Sequence, residues 1–240
     1  ALGFEALTTT SAGLAFSLGR RDGAGAVSRD ETLANAKAIV DATDLPVAAD
    51  LENGFGHDPA DAAKTIRLAA EMAGLVGGSI EDATGDPAHP IYDFQHAVER
   101  VAAAVEAARA LPFPFALVGR AENFLHGRPD LDDTIRRLQA FESAGADVLY
   151  APGLTTAEDI RTVCAAVSRP VNVLMGGKGT FTVDELAALG VRRISLGSAL
   201  SRAALGAFRR AARQVREEGT FGLLDDAIPF GEVSDMMAGD

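Results

Sequence analysis

The sequence predicts a (β/α)8 TIM-type barrel that lacks its first strand and helix here and ends in a helical tail. Three observations carry that expectation. First, strand-like and helix-like patterns alternate along all 240 residues, which implies parallel pairing through right-handed crossovers. Second, helical patterns end in Gly at Ala1-Leu-Gly3, Met72-Ala-Gly74, Ser143-Ala-Gly145 and Ala188-Leu-Gly190, each followed at once by a strand-like run. Gly just past a helix accepts the left-handed conformation that closes it. Third, the stretch Thr8–Gly13 after the first strand is not a Gly-rich dinucleotide fingerprint, which disfavours an open doubly wound sheet.

In order, strands are expected at Phe4–Thr9, Val47–Asp50, Leu75–Ile80, Phe115–Gly119, Val148–Ala151, Val171–Leu174 and Arg193–Leu196. Pro46, Pro114 and Pro170 introduce three of them. Helices are expected at about Arg29–Asp41, Pro59–Ala73, Phe94–Ala110, Leu131–Ala144, Ala157–Val167, Val183–Leu189 and Ala199–Glu218. Their start signals are specific. Ser28…Glu31 and Thr182…Glu185 are capping boxes, and Asp58-Pro59 sets an N-cap before proline at the first helical position. Asp130, Asp132 and Asp133 load another start with negative charge. The chain opens without Met, in what reads as a helix end, so a strand and helix are expected upstream. No linker divides residues 1–240, which read as one domain with a tail from about 219. That tail carries Phe221, Leu223, Leu224, Ile228, Phe230, Met236 and Met237. A lone barrel offers it no cover, so a homo-oligomer, dimer or tetramer, is expected.

Composition bounds the function. A net charge of −12 argues against nucleic acid or an anionic membrane as partner. The single cysteine, Cys164, excludes an internal disulfide framework and suits a cytoplasmic location. It falls in a helical pattern as a small buried hydrophobe. No apolar run reaches membrane-spanning length.

In such a barrel the chemistry sits where strands end at the C-terminal face. Those ends read Thr8–Gly13, Asp50-Leu-Glu52, Glu81-Asp82, Arg120-Ala-Glu122-Asn123, Tyr150-Ala-Pro152, Asn172–Lys178 and Gly197-Ser198. Asp50 and Glu52, two apart in an extended strand, would project together and repel unless a proton or cation relieves them. Oxygen ligands of this kind suit Mg²⁺. Acidic ends beside one Arg support a site for a divalent cation and a small, oxygen-rich anionic substrate.

At these residues the chain resembles the isocitrate lyase/phosphoenolpyruvate mutase superfamily. The pieces that carry the resemblance are Asp50-Leu-Glu-Asn-Gly-Phe-Gly56, Ile80-Glu-Asp82, Arg120 and the Gly19…Asp22 loop. The resemblance implies a (β/α)8 barrel, usually tetrameric, and a Mg²⁺-dependent lyase acting through a pyruvate-enolate-like intermediate. It assigns Asp50 as the chief metal-site carboxylate, with Glu52 and Glu81 holding Mg²⁺ through waters. Thr10, Ser11 and Ala12 would bind a substrate carboxylate, Arg120 would neutralise developing charge, and Asp22 would sit near the mouth. Asn172 is expected to contact substrate.

The loop after Ile80-Glu-Asp82 departs from that pattern. Lyases of the family carry a Lys-[KR]-Cys-Gly-His loop there, and the phosphonopyruvate mutases and hydrolases a Lys-x-Asn type. This chain has Asp82-Ala-Thr-Gly-Asp-Pro-Ala-His-Pro-Ile91, without Cys or Lys. His89 is the candidate replacement acid, with His126 nearer a strand end but no better supported; Tyr150 ends a strand and could line the pocket or serve as packing. A phosphonopyruvate-type C–P mutase or hydrolase is the alternative reading, and Met175–Gly179 with Gly197-Ser198 could cradle a phosphate.

Overall fold

The computed structural model describes residues 3–23, 25–177 and 181–238. Two compact units are present, Ala1–Ser198 and Ala199–Asp240.

In the first unit, seven parallel strands form one sheet in strictly sequential order. They are β1 Leu7–Thr8, β2 Val47–Asp50, β3 Gly77–Glu81, β4 Ala116–Arg120, β5 Val148–Tyr150, β6 Val171–Leu174 and β7 Arg193–Ser195. A doubly wound sheet reverses its strand order at a switch point; this sheet never does, as a barrel wall requires. Between the strands run α1 Ser11–Ser17, α2 Arg29–Asp41, α3 Pro59–Ala73, α4 Phe94–Arg109, α5 Leu131–Ser143, α6 Ala157–Ala166 and α7 Val183–Ala188.

Local chemistry explains the boundaries. At α2 both halves of the Ser28–Glu31 capping box form. At α3, Asp58 and Asp61 complete another, and Gly74 closes the helix at φ 72°. The first strand is shorter than expected, because β2 is its one partner among the described residues. The stretch after it, for which the sequence marks no element, is the short helix α1, capped where the Thr10 side chain accepts from Gly13 N.

The core lies between sheet and helices, where Leu51, Ile66, Ile80, Phe115, Leu117, Leu138, Phe141 and Leu149 are buried. Burial of each such side chain is worth about 1.5–3 kcal/mol. Gly78 is needed at its position: a Cβ there would sit 2.6 Å from Leu51 Cδ1. Leu51 fills that space and is wholly buried.

The second unit contains α8 Ala199–Arg213, a π-helical turn Gln214–Glu218, a 3-10 turn Gly222–Leu224 and α9 Phe230–Met237. It starts at Ala199, earlier than the tail boundary of about 219 expected from sequence. Its apolar side chains are exposed, Phe208 at 73% and Phe230 at 89%. Among the described residues no helix is long and apolar enough to cross a membrane.

Candidate active site

Strand register gathers the site. Glu81 pairs with Arg120, Arg120 with Tyr150, and Tyr150 with Asn172, so four polar side chains stand in one row across the C-terminal strand ends. Asp50 is in register with Ser79, two residues before Glu81, and therefore shares that face.

Arg120 is the hub. Its Nη1 lies 3.4 Å from Asp50 Oδ1 and 3.1 Å from Glu81 Oε2. Its Nε donates to Glu122 Oε1, and its guanidinium stands 5.2 Å from the centre of the Tyr150 ring. Asp50 is held in turn by the backbone N–H of Ser11 at 3.4 Å and of Glu52 at 3.2 Å. Its own N–H donates to Thr9 Oγ1 at 3.1 Å.

Asp50 and Glu52 do not project together by strand alternation, as the sequence suggested. The strand ends at Asp50, and Glu52 sits in the left-handed region at φ 48°. A turn, not a pleat, brings the two together.

One guanidinium faces Asp50, Glu81 and Glu122, with Glu52 close by, so the site holds more negative charge than its own cation neutralises. Burial pushes Glu52 up to about 7, helped by repulsion from Asp50 and Asp22 and opposed by Arg120. Burial raises Glu81 well above the ordinary carboxylate range, opposed by Arg120 and reinforced by Glu122, Asp50 and Glu52. Glu122 is raised by burial as well, against the pull of Arg120. Burial works against the Arg120 charge, but Glu81, Glu122 and Asp50 outweigh it and hold the guanidinium firmly protonated. Tyr150 is pushed up to about 12, chiefly by burial, and stays a neutral phenol.

These groups stand beside a cavity of about 1100 Å³, lined among others by Ser11, Asp22, Glu52, Glu81, Arg120 and Glu122. Asp22, Gly23 and residues 27–30 line one wall and residues 83–87 with Pro90 another. The second wall is a closed hairpin: Ala83 bridges Ile91, and Thr84 N donates to Pro90 O at 3.0 Å.

The sequence-predicted residues fall into two groups. Asp50, Glu52, Glu81, Arg120, Ser11 and Asp22 converge, Thr10 caps α1 over them, and Ala12 lies within α1. His89 does not join them. Its side chain is 83% exposed and pairs with Asp86 at 3.2 Å. Asn172 is 1% exposed, donates to Ser195 Oγ at 2.9 Å, and leaves its Oδ1 without a partner. Lys178 and Gly179, part of the possible phosphate cradle, lie outside the described residues.

Two participants were not singled out from sequence. Glu122 follows Arg120 by two residues, the same spacing as Asp50 and Glu52, and that repetition was the available signal. His57, which lines the cavity, follows Gly56 directly and had no sequence partner to mark it. Among the described residues no three His, Cys, Asp or Glu side chains form a ready-made metal cage. The carboxylate oxygens of Asp50, Glu52 and Glu81 nonetheless supply the donor type a hard cation takes, in a site with surplus negative charge.

A barrel with acidic strand ends around a single arginine defines a class of enzyme, and comparison with known proteins specifies it. A profile of the phosphoenolpyruvate phosphomutase family matches residues 1–216. The chain is 32% identical over 235 residues to 2-methylisocitrate lyase of Escherichia coli K12, covering 91% of this chain and 75% of that one. It superposes on a Burkholderia cenocepacia J2315 protein, provisionally described as a lyase/mutase, with TM-score 0.95 and 59% identity. That match covers 99% of this chain and 84% of the other. A third relative is 2,3-dimethylmalate lyase, a PEP mutase/isocitrate lyase superfamily member, at TM-score 0.87 and 27% identity over 98% of this chain and 83% of that one. The chain belongs to the phosphoenolpyruvate phosphomutase family, within the isocitrate lyase/PEP mutase superfamily of enzymes that includes lyases of small carboxylates.

Proposed function

We propose that the protein is a Mg²⁺-dependent lyase that cleaves a C–C bond in, or decarboxylates, a small 2-oxo or 2-hydroxy carboxylate and releases a pyruvate-like 2-oxo acid. The observation that carries this reading is the convergence of Asp50, Glu81 and Glu122 on Arg120 beside the cavity. Burial, reinforced by the neighbouring carboxylates, raises the Glu52, Glu81 and Glu122 carboxyls, so that in their ionised form they call for a proton or a cation. Asp50, Glu52 and Glu81 would hold the metal, Asp50 foremost. Bound there, Mg²⁺ would supply Lewis-acid polarisation of substrate oxygens.

The chain's own groups do the rest. Arg120, freed of part of its carboxylate burden, neutralises negative charge that develops on the substrate as the bond breaks. The Ser11 N–H, which now serves Asp50, offers a donor to a substrate carboxylate. The hairpin at 83–91 and the stretch 27–30 enclose the substrate between them.

The family description supports a second reading, C–P chemistry on a phosphonopyruvate-type substrate. One screen separates the two. Release of 2-oxo acid is followed for oxaloacetate, substituted malates, methylisocitrate and 4-hydroxy-2-oxoglutarate, and turnover for phosphonopyruvate, with Mg²⁺ and with EDTA. The lyase reading expects Mg²⁺-dependent release from a C–C substrate that Asp50→Ala abolishes, and poor cleavage of methylisocitrate. Turnover of phosphonopyruvate alone selects the second reading; full activity in EDTA overturns the metal assignment.

The exposed apolar side chains of the second unit, Phe208, Phe221, Phe230 and Met237, favour a homo-oligomer in which a second copy covers them. Light scattering at micromolar concentration should show more than one chain per particle. A cytoplasmic location fits the lone cysteine, half-buried in α6.

A further inference from the structure

The turn between β2 and α3 is held with unusual thoroughness. Both Glu52 and Phe55 are non-glycine residues in the left-handed region, at φ 48° and 58°. Two arginines fasten the turn by its carbonyls. Arg29 Nη2 donates to Gly54 O at 3.1 Å and Phe55 O at 3.3 Å. Arg100, 1% exposed, donates to the carbonyls of Asn53 and His57. Strained backbone persists only where its surroundings over-determine it, and Glu52 explains one end of the turn. The other end presents His57 to the cavity.

A directional chain of hydrogen bonds sets the His57 ring. Phe55 N–H donates to Asn53 Oδ1 at 3.0 Å, which fixes that amide so that its Nδ2 faces the Tyr92 hydroxyl, 3.4 Å away. Tyr92 Oη accepts from Asn53, and its single proton has an acceptor in its other neighbour, His57 Nδ1 at 2.7 Å, whenever that nitrogen carries no hydrogen. Tyr92 keeps that proton because burial raises its phenol. An imidazole that accepts at Nδ1 carries its hydrogen on Nε2 when neutral. Arg100 over the Tyr92 ring at 4.5 Å and His96 Nε2 at 2.9 Å from His57 O lock the arrangement from behind.

We infer that His57 is a substrate-contacting residue that donates Nε2–H to a second carboxylate of the substrate, the one directed away from the strand ends. The inference rests on the lyase reading, which places the reacting end of a small carboxylic acid at Asp50 and Arg120. A donor fixed elsewhere on the same cavity needs an acceptor, and the far carboxylate of a dicarboxylate supplies one. His57 thus selects dicarboxylates over monocarboxylates of the same core.

Malate and lactate share a 2-hydroxy acid core and differ by the second carboxylate, so they are the probes. Binding of each is measured by calorimetry with Mg²⁺ present throughout. A hydrogen bond to a charged acceptor is worth about ten- to a hundredfold in affinity. His57→Ala should weaken malate by that factor and leave lactate within about twofold. His57→Gln, whose amide can donate from near the Nε2 position, should recover most of the loss. Heteronuclear NMR on the ring nitrogens of the 4 histidines gives an independent readout. At high pH His57 should be the Nε2–H tautomer, and Tyr92→Phe should relax that preference. Melting curves establish that each variant folds. The inference is overturned if wild-type protein binds malate no better than lactate, if His57→Ala weakens both equally or neither, or if the ring is the Nδ1–H tautomer. Asp50→Ala is the control for the underlying reading. Loss of both ligands there with no effect at His57 sinks this inference alone. No loss at Asp50 sinks the reading beneath it.

Discussion

Glu81 and Asp82 are consecutive residues, the first half-buried and the second buried, both paired with an arginine, and they serve different ends. Glu81 shares Arg120 with Asp50 and Glu122. Asp82 faces the other way. It accepts from Arg137 Nη1 at 3.0 Å and from the backbone N–H of Glu122 at 2.7 Å. Arg137 is itself completed by Asp133 at 2.7 Å and by the carbonyl of Tyr92 at 3.0 Å, and Arg136 pairs with Asp133 at 2.8 Å, so two arginines answer two carboxylates. Around Arg137 every partner is matched; around Arg120 negative charge is in surplus. A buried ion cluster in balance is structural, whereas one left out of balance is primed to receive something. β3 ends at Glu81, and the chain's exit from the sheet separates the two roles by a single residue.

The largest expected effect tests the balanced cluster. Arg137→Met leaves Asp82 buried without its counter-charge and should cost about 3–5 kcal/mol of stability, read as a fall in the denaturant midpoint. A loss below about 1 kcal/mol would show that the Arg137 cluster is no more structural than its neighbour. Next, Asp50→Ala at the unbalanced cluster should lower kcat by at least about 10²–10³-fold, the scale of losing one preorganised electrostatic group. Its melting temperature should stay level or rise, because it removes one of the surplus negative charges. A steep drop in stability would erase the contrast.

A smaller effect follows from Glu52, pushed up to about 7 from a usual value of 4.5. The folded protein binds this proton more tightly than the unfolded chain. The contribution of Glu52 to stability is therefore full below about pH 4.5 and is lost as pH rises through about 7. The decline is on the order of 2–3 kcal/mol. Glu52→Gln should flatten that part of the stability–pH curve, and saturating Mg²⁺ should do the same for the wild-type chain. An unchanged curve in the variant would remove Glu52 from the surplus. The smallest effect belongs to His89, exposed on Asp86 outside both clusters. His89→Gln should change kcat by less than about twofold, and a larger loss would extend the site to the outer hairpin.

What the sequence revealed, and what it hid, follows from the range of the interactions involved. Helices α2 and α3 have the expected limits because their ends are written locally: Ser28 with Glu31, Asp58 with Pro59, then Gly74. The carboxylates of Asp50 and Glu81 were legible because strand ends in a barrel share one face. Helix α1 was missed because 7 residues offer too little periodicity to separate helix from loop. The turn at Glu52 was read as extended because tertiary hydrogen bonds from Arg29 and Arg100, not local propensity, impose its backbone. His57 was invisible for the same reason: its orienting partner, Tyr92, lies 35 residues further on.

The left-handed backbone at Glu52 bears on how this protein would respond to directed evolution. Glycine or asparagine there would relieve a conformational penalty of about 1–3 kcal/mol and delete a repelling carboxylate at the same stroke. A campaign selecting only for heat tolerance would therefore find position 52 early, with acid-to-amide changes at Glu81 close behind. It would enrich hardy, inert descendants, and only a counter-screen for turnover would keep the lineage working.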